Sequence, residues 1–246
     1  MNKELTNQTF WEKYWRSKKI TRYIHENYPF YDLFQRELGG KKYKTMVEIG
    51  GFPGYYAIYF HKFWKYKTTL LDYVVDLNII NKLLESNKLD KEKIDIVKED
   101  FNKYNRTKKY DVVFSLGFIE HFEDTEQILK KHWRMVNKGG KMIIGIPNFL
   151  GINGIYQLLF DPSNLNIHNL NSMNIVRLRN MIDDIKPKNS RVFYVSSALV
   201  WLENLEKRNI ILPVLTYLLN IIGLILTRFG IRGKYISTHI FIVAEK

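Results

Sequence analysis

An acidic side chain and three glycines lie close together in residues 46–60, MVEIGGFPGYYAIYF. A β-branched, apolar run leads to Glu48, and Gly50, Gly51 and Gly54 follow it. Glycine lets a backbone approach a ligand where a Cβ atom would collide with it. An acid and a glycine-rich turn at the end of a strand therefore indicate a site for an adenine nucleotide or a related molecule.

Two common nucleotide motifs do not fit this turn. The dinucleotide fingerprint G-x-G-x-x-G fails because Phe52 and Pro53 stand two residues after Gly50 and Gly51. The phosphate-binding loop fails because no Gly-Lys-Ser/Thr sequence follows.

The elements that position this turn are predicted from residue 44 onward, where short apolar runs alternate with helical patterns. Strands are expected in TMVEIG, KTTLLDY, KIDIVKED, YDVVFSL and KMIIGIP, and helices over residues 55–65, 77–86 and 123–136. The third helix is expected to stop at the glycines of NKGG. After Pro147 we expect an irregular stretch to residue 170, a helix over residues 172–185, and strands in RVFYVS and YISTHIFIVAEK. This alternation predicts an α/β fold whose parallel sheet carries helices on both faces and binds ligands at the carboxyl ends of its strands.

The composition is that of a folded protein of 246 residues. The absence of cysteine excludes disulfides and thiolate metal sites. The N-terminal sequence MNKELTNQTFWEKYWRSKK lacks the apolar core of a signal peptide, so a cytoplasmic location is expected. The formal charge of +13 is compatible with nucleic acid, an anionic membrane or an acidic substrate, but the scattered lysines favour a solvated surface.

The segment VEIGGFPG resembles the first motif of class I S-adenosylmethionine-dependent methyltransferases, written acid-x-Gly-x-Gly-x-Gly. Glu48, Gly50 and Gly54 match this motif, and Phe52 replaces its middle glycine. LLDY, KEDF, DVVFSLGFIEHF and NKGGKMIIGIP then follow in the order typical of the small-molecule, type 11-like branch, over roughly residues 40–148. The resemblance implies a Rossmann-like, seven-stranded, mostly parallel sheet with an antiparallel last strand. It also implies that the chain binds S-adenosylmethionine and releases S-adenosylhomocysteine.

The resemblance places cofactor contacts at the ends of the first four strands. Asp72 is expected to accept hydrogen bonds from the ribose hydroxyls, and Asp100 and Phe101 are expected to contact the adenine. The expected set is Glu48, Gly50, Gly51, Gly54, Asp72, Tyr73, Asp100, Phe101, Ser115, Leu116 and Gly117. We expect one domain over residues 1–246, with an N-terminal helical cap (1–38), a cofactor-binding half (39–148) and a substrate half (149–246) that contains an apolar insertion at about 200–234.

Methyl transfer requires alignment of acceptor, methyl group and sulfur, and a hydroxyl acceptor usually also needs a base. His121, after the fourth strand, and His168, in the loop after the fifth, are the candidate bases, although either could be a packing residue. The other four histidines look like surface or packing residues, and their spacing suggests no metal site. These are His25, His61, His132 and His239.

The predicted activity is methyl transfer to a small-molecule, sugar or lipid-linked acceptor, at oxygen. One alternative is a non-catalytic protein with the same fold, which Phe52 favours. The other is a nucleic-acid methyltransferase, but SLGF stands where base methylation would require an Asn/Asp-Pro-Pro-aromatic tetrad, so nucleic acid is not an expected partner.

Residues 210–226 carry no charge, and their length is short for a membrane span. A single crossing is also excluded if the sixth and seventh strands pair in one sheet. A buried core helix, a substrate lid or homodimer face, and a peripheral membrane contact remain open. With residues 147–170 and the N-terminal Trp11, Tyr14 and Trp15, this segment could form a lid over a partly apolar acceptor.

Overall fold

The computed structural model describes residues 3–18, 20–196 and 198–246, and within them seven strands form one sheet. The strands are β1 (Thr45–Ile49), β2 (Lys67–Asp72), β3 (Ile94–Lys98), β4 (Tyr110–Leu116), β5 (Val136–Pro147), β6 (Asn189–Val195) and β7 (His239–Glu245). Their order across the sheet is β3-β2-β1-β4-β5-β7-β6. Strand β7 runs antiparallel to β5 and β6, and the other neighbouring pairs are parallel. The predicted Rossmann-like sheet with an antiparallel last strand is therefore confirmed.

Helices connect these strands and cover both faces of the sheet. In chain order they are α1 (Gln8–Arg16), α2 (Tyr31–Leu38), α3 (Tyr55–Trp64), α4 (Leu77–Ser86), α5 (Thr125–Arg134), α6 (Ile152–Phe160), α7 (Pro162–Asn166), α8 (Ile175–Asp184) and α9 (Ile211–Arg228). Helices α1 and α2 lie in the predicted N-terminal cap, and residues 20–30 between them are not helical. Single 3₁₀ turns lie at Lys91–Lys93, Ile119–His121, Leu170–Met173 and Leu205–Lys207.

Side chains on each strand alternate between two apolar layers, because successive residues of a strand point to opposite faces of the sheet. On β1, Met46 packs in the layer that contains α2, α3 and α4. Val47 and Ile49 pack in the opposite layer, with α5 and α8. The central strands are thus buried on both faces, and their carboxyl ends are held in fixed relative positions.

The predicted stop of the third helix at the NKGG glycines is wrong. Helix α5 ends at Arg134, and the glycines of NKGG lie inside β5 instead of stopping the helix. Tyr110 pairs with Val136, whereas Val112 pairs with Lys141, so the NKGG segment bulges out of the ladder. Gly139, with φ of 75°, supplies the left-handed conformation that this bulge needs.

The stretch after Pro147 is helical and not irregular. It forms α6, α7 and the 3₁₀ turn Leu170–Met173. Asp161 is both the C-cap of α6 and the N-cap of α7. Its side chain accepts a hydrogen bond from the Asn164 N–H in the first turn of α7. A proline in the first turn of α7 is compatible with this start, because that position has no helical hydrogen bond to lose. The two short helices are therefore separate elements joined at a capping residue.

Helix α9 is long and apolar enough to cross a membrane by length and composition alone, with a mean hydropathy of 1.8. Of its residues, Thr216 and Gly223 are the buried ones. The alternative of a buried core helix is therefore wrong. Strands β6 and β7, which flank α9 in sequence, pair in one sheet along their whole length. A single crossing by α9 would place these paired strands on opposite sides of a membrane, so α9 does not span one.

Candidate active site

A cavity of about 630 Å³ lies at the carboxyl ends of β1, β2 and β4. Residues from the turns after these strands form one wall. Side chains of α1 and of residues 99–101, 161–168 and 201–208 also line the cavity. This is the position at which a doubly wound sheet binds its ligands.

The buried side chain of Glu48 packs against the glycine turn after β1. The Glu48 carboxylate accepts a hydrogen bond of 2.7 Å from the Ala57 N–H in the first turn of α3. Burial raises the pKa of Glu48 to about 8. A Cβ atom on Gly51 would stand 2.1 Å from the Glu48 Cγ atom, and one on Gly50 would stand 2.0 Å from the Phe118 ring. Both positions therefore require glycine.

Phe52, which replaces the middle glycine of the motif, is built into the cavity wall. Its side chain is 2% exposed and its ring packs edge-on against Trp15, with 5.7 Å between centroids. Its backbone N–H donates to Asp72 Oδ2 over 2.9 Å. The substitution thus leaves the cavity open and connects the turn after β1 to the acid after β2.

Asp72 ends β2 as a nearly buried carboxylate. In addition to Phe52, the Val74 N–H donates to it, reaching Oδ1 over 2.8 Å. Each oxygen of an ionised carboxylate can accept a further hydrogen bond, so Asp72 can still bind a pair of ligand hydroxyls. Burial raises the pKa of Asp72 to about 6, which places its ionisation near neutral pH.

Nine of the predicted cofactor residues line this cavity. They are Glu48, Gly50, Gly51, Asp72, Tyr73, Asp100, Phe101, Leu116 and Gly117. Gly54 lies outside it and begins α3 in a left-handed conformation with φ of 97°. Ser115 also lies outside, because strand alternation turns it toward α5, where its hydroxyl is 3.2 Å from His132 Nε2. The cofactor contact predicted for Ser115 is not supported.

The two candidate bases, His121 and His168, meet in the cavity with ring centroids 4.6 Å apart. His121 ends the 3₁₀ turn after β4, and His168 follows α7. Nδ1 of His121 lies 2.9 Å from the Ile167 carbonyl oxygen, and Nδ1 of His168 lies 2.6 Å from that of Asn164. A carbonyl only accepts, so each Nδ1 carries the proton and each Nε2 keeps a free lone pair.

Burial lowers the pKa of His121 to about 3 and that of His168 to about 4. Both rings are therefore neutral at pH 7, with an acceptor nitrogen available in each.

Glu120 is a cavity residue that the sequence reasoning missed. Its side chain is fully buried, and neither carboxylate oxygen has a hydrogen-bond partner among the described residues. Burial raises the pKa of Glu120 to about 8, and the backbone N–H groups of Phe118 and Glu120 oppose this shift. The segment IEHF carried the signal, since it places an acid directly beside a candidate base.

The N-terminal segment closes one side of the cavity. The Leu5 N–H donates to the His121 carbonyl oxygen over 2.8 Å, and the Trp11 ring lies edge-on to His121 at 5.0 Å. The Tyr14 hydroxyl donates to Glu203 Oε1 over 3.1 Å, and Lys18 forms an ion pair with the same carboxylate. Helix α1 is thus fastened to the segment before α9.

A glycine turn after β1, an acid at the end of β2, and two histidines, one after β4 and one after α7, surround one cavity at the carboxyl edge of this sheet. Motifs that resemble those of class I methyltransferases thus meet at one cavity. Residues 47–144 match the family described as a methyltransferase domain. This matched segment contains the motifs that resemble class I S-adenosylmethionine-dependent methyltransferases, and S-adenosylmethionine is the cofactor that it implies.

Solved structures show the same fold at low sequence identity. Phosphoethanolamine N-methyltransferase 2 from Haemonchus contortus, in complex with S-adenosyl-L-methionine, is 14% identical with a TM-score of 0.61, over 87% of this chain and 51% of that one. A methyltransferase dependent on S-adenosylmethionine from Archaeoglobus fulgidus is 15% identical with a TM-score of 0.53, over 89% of this chain and 100% of that one. The chain thus spans about half of the Haemonchus protein. No protein with a curated description matches the sequence.

Proposed function

We propose that the protein transfers a methyl group to a hydroxyl of a lipid-linked or otherwise partly apolar acceptor, which it takes from an anionic membrane surface. The observation that carries this proposal is an exposed apolar surface beside the cavity. This α6/α9 surface consists of Ile155, Leu158, Leu159, Ile211, Val214, Tyr217, Leu218, Ile221, Ile222, Leu224, Ile225 and Phe229, all exposed. Many large apolar side chains exposed on two neighbouring helices mark an interaction site.

The α6/α9 surface is fixed to the domain by polar contacts on its inner side. The Asn220 side chain accepts hydrogen bonds of 3.0 Å from the N–H groups of both Leu199 and Val200. Tyr156 of α6 and Thr216 of α9 share a hydrogen bond of 2.9 Å. These contacts hold α9 along one side only, so its outer side remains free to bind a partner.

The same surface adjoins the cavity at the junction of its two helices. Asp161 directly follows α6, Arg208 lies just before α9, and their side chains pair at 3.0 Å. Both residues line the cavity. An acceptor whose apolar part rests on the α6/α9 surface would therefore have its polar end at the cavity.

Charge supports a membrane as the occupant of this surface. Residues 207–244 contain five cations and no Asp or Glu: Lys207, Arg208, Arg228, Arg232 and Lys234. An apolar helix flanked by cations fits the interface of an anionic bilayer, where apolar side chains enter the acyl region and cations contact the headgroups. Because α9 does not span the bilayer, the contact is peripheral.

The chemistry follows from the groups beside the cofactor residues. Nε2 of His121 and of His168 can each accept a hydrogen bond from an acceptor hydroxyl and orient its oxygen toward the methyl group. The oxygen then forms a bond to the methyl carbon as the carbon–sulfur bond breaks, which yields S-adenosylhomocysteine and releases one proton.

Vesicle binding and transfer test the proposal together. Leu218→Glu/Ile222→Glu/Ile225→Glu should abolish sedimentation with phosphatidylglycerol vesicles and transfer to a vesicle-held long-chain phenol, while calorimetric binding of S-adenosylmethionine persists. Leu77→Glu/Val176→Glu changes exposed apolar residues on other helices and serves as the control. If the wild-type protein does not bind vesicles but forms a dimer, and the triple variant does not form that dimer, α9 is instead a homodimer face.

A further inference from the structure

Three side chains with metal-binding atoms converge at the cavity: Glu120, His121 and His168. One ligand atom of each lies within 4.8 Å of those of the other two. Two are buried and the third is half-buried, so the group is held by the fold instead of moving freely at the surface.

Hydrogen bonding leaves this group incomplete. Glu120 is fully buried, and both of its carboxylate oxygens lack a partner among the described residues. Buried polar side chains nearly always have partners, because an unpaired one loses its hydration without compensation. A ligand that supplies positive charge between Glu120 and the two rings would remove this deficit.

The two histidines are already oriented as metal ligands are. Each donates its Nδ1–H to a backbone carbonyl, of Ile167 for His121 and of Asn164 for His168, and so presents Nε2 unprotonated. A second hydrogen bond of this kind fixes the tautomer and ring orientation of most metal-binding histidines. Trp11 and Phe149 pack edge-on against the two rings at 5.0 Å and hold them further.

We propose that Glu120, His121 and His168 bind one divalent transition-metal ion, of the Zn²⁺, Fe²⁺ or Mn²⁺ type, within the methyltransferase cavity. Two imidazoles and one carboxylate are the ligand types that these ions take. Ligands around a tetrahedral ion with bonds of about 2.1 Å stand roughly 3.4 Å apart. The ligand atoms lie within 4.8 Å of one another, so no pair needs to approach by more than about 1.4 Å, which small side-chain rotations supply.

Three protein ligands leave a coordination position for the acceptor, and this role of the metal rests on the proposed function. A hydroxyl that binds the ion loses its proton more readily. The O–H bond breaks with release of the proton to solvent, and the metal-held oxygen attacks the methyl carbon as the carbon–sulfur bond breaks. Deprotonation by the ion would replace the general base that the sequence assigned to one histidine.

Metal content tests the site without acceptor or vesicles. Untagged protein, stripped with chelator and titrated with Co²⁺, should bind one equivalent and develop visible d–d absorption, and Zn²⁺ should displace it. Glu120→Gln, which keeps side-chain volume, and His168→Ala should each weaken Co²⁺ binding at least tenfold. His25→Ala alters an exposed histidine outside the cavity and should bind Co²⁺ as the wild type does.

Three outcomes would overturn the inference. If the wild-type protein does not bind Co²⁺ stoichiometrically, the site does not exist. The same follows if Glu120→Gln and His168→Ala both melt as folded proteins and bind Co²⁺ as tightly as the wild type does. Full transfer activity after chelation removes the proposed activation. Metal binding that is intact in a protein unable to methylate any hydroxyl acceptor would instead refute the proposed function and leave the metal site standing.

Discussion

Asp72 illustrates how one residue meets opposing demands in this site. Its carboxylate must be ionised to accept hydrogen bonds from two ribose hydroxyls, and such charge-assisted bonds are the strong ones. Burial favours the neutral acid and raises its pKa to about 6, although N–H groups of Phe52, Tyr73 and Val74 oppose this shift. The residue is therefore ionised at pH 8 and largely protonated at pH 5.

Affinity for S-adenosylmethionine should consequently fall as pH is lowered through 6. With a pKa of about 6, roughly a tenth of Asp72 is ionised at pH 5, so we expect affinity about tenfold weaker there than at pH 8. Calorimetric titrations at pH 5, 6, 7 and 8 measure this. Asp72→Asn should bind weakly at every pH, and an equal pH slope in that variant would assign the titration to another group.

At the scale of elements, the first five strands and the turn after β1 were predictable because each depends on local pattern. Strands β1 to β4 each end at or just before an acid or a glycine, and those ends meet at one edge of a parallel sheet. The family resemblance then placed most cofactor residues. The NKGG bulge was not predictable, since it depends on the register between β4 and β5, which only the folded sheet sets.

The substrate side of the site was less accessible from sequence. His121 and His168 were each identified, but their pairing depends on where α6 and α7 fold. Glu120 was overlooked because the sequence shows an acid beside His121 but does not show that its carboxylate is buried without partners. The exposure of α9 likewise followed from its packing and could not be read from its uniformly apolar composition.

Helix α1 should act as a lid that sets the rate of product release. Glu203 binds Tyr14 and Lys18, so Glu203→Gln removes the charge that fastens α1 over the cavity. A partly exposed ion pair of this kind contributes about 1 kcal/mol, which corresponds to release of S-adenosylhomocysteine about fivefold faster. Stopped-flow tryptophan fluorescence, reporting on Trp11 and Trp15, measures that rate.

Lys130→Met is the matched control for the lid, since it breaks an ion pair with Glu126 within the exposed side of α5. It should leave release of S-adenosylhomocysteine unchanged. If Glu203→Gln lowers the melting temperature but leaves the release rate at the wild-type value, the ion pair is a stabilising contact and α1 is not a lid.

The formal charge of +13 could attract the protein to an anionic bilayer through its total or through the positions of particular cations. The acids lie elsewhere than in residues 207–244, so this part of the chain is uniformly basic beside the α6/α9 surface. Net charge alone would attract any face of the protein to an anionic bilayer. Cations concentrated beside the α6/α9 surface would orient the cavity toward the bilayer.

Two variants of equal net charge separate these possibilities. Arg228→Glu/Arg232→Glu/Lys234→Glu and Lys41→Glu/Lys42→Glu/Lys109→Glu each reverse three charges, so both lower the net charge by six, from +13 to +7. Each cation near a bilayer contributes about 1 kcal/mol, so reversal beside α9 should weaken binding to phosphatidylglycerol vesicles well over tenfold, and the distant reversal only slightly. Added salt should weaken wild-type binding without abolishing it, because the apolar contact of α9 is not screened. Equal losses in both variants would mean that total charge governs attraction and that the α6/α9 surface does not orient the enzyme.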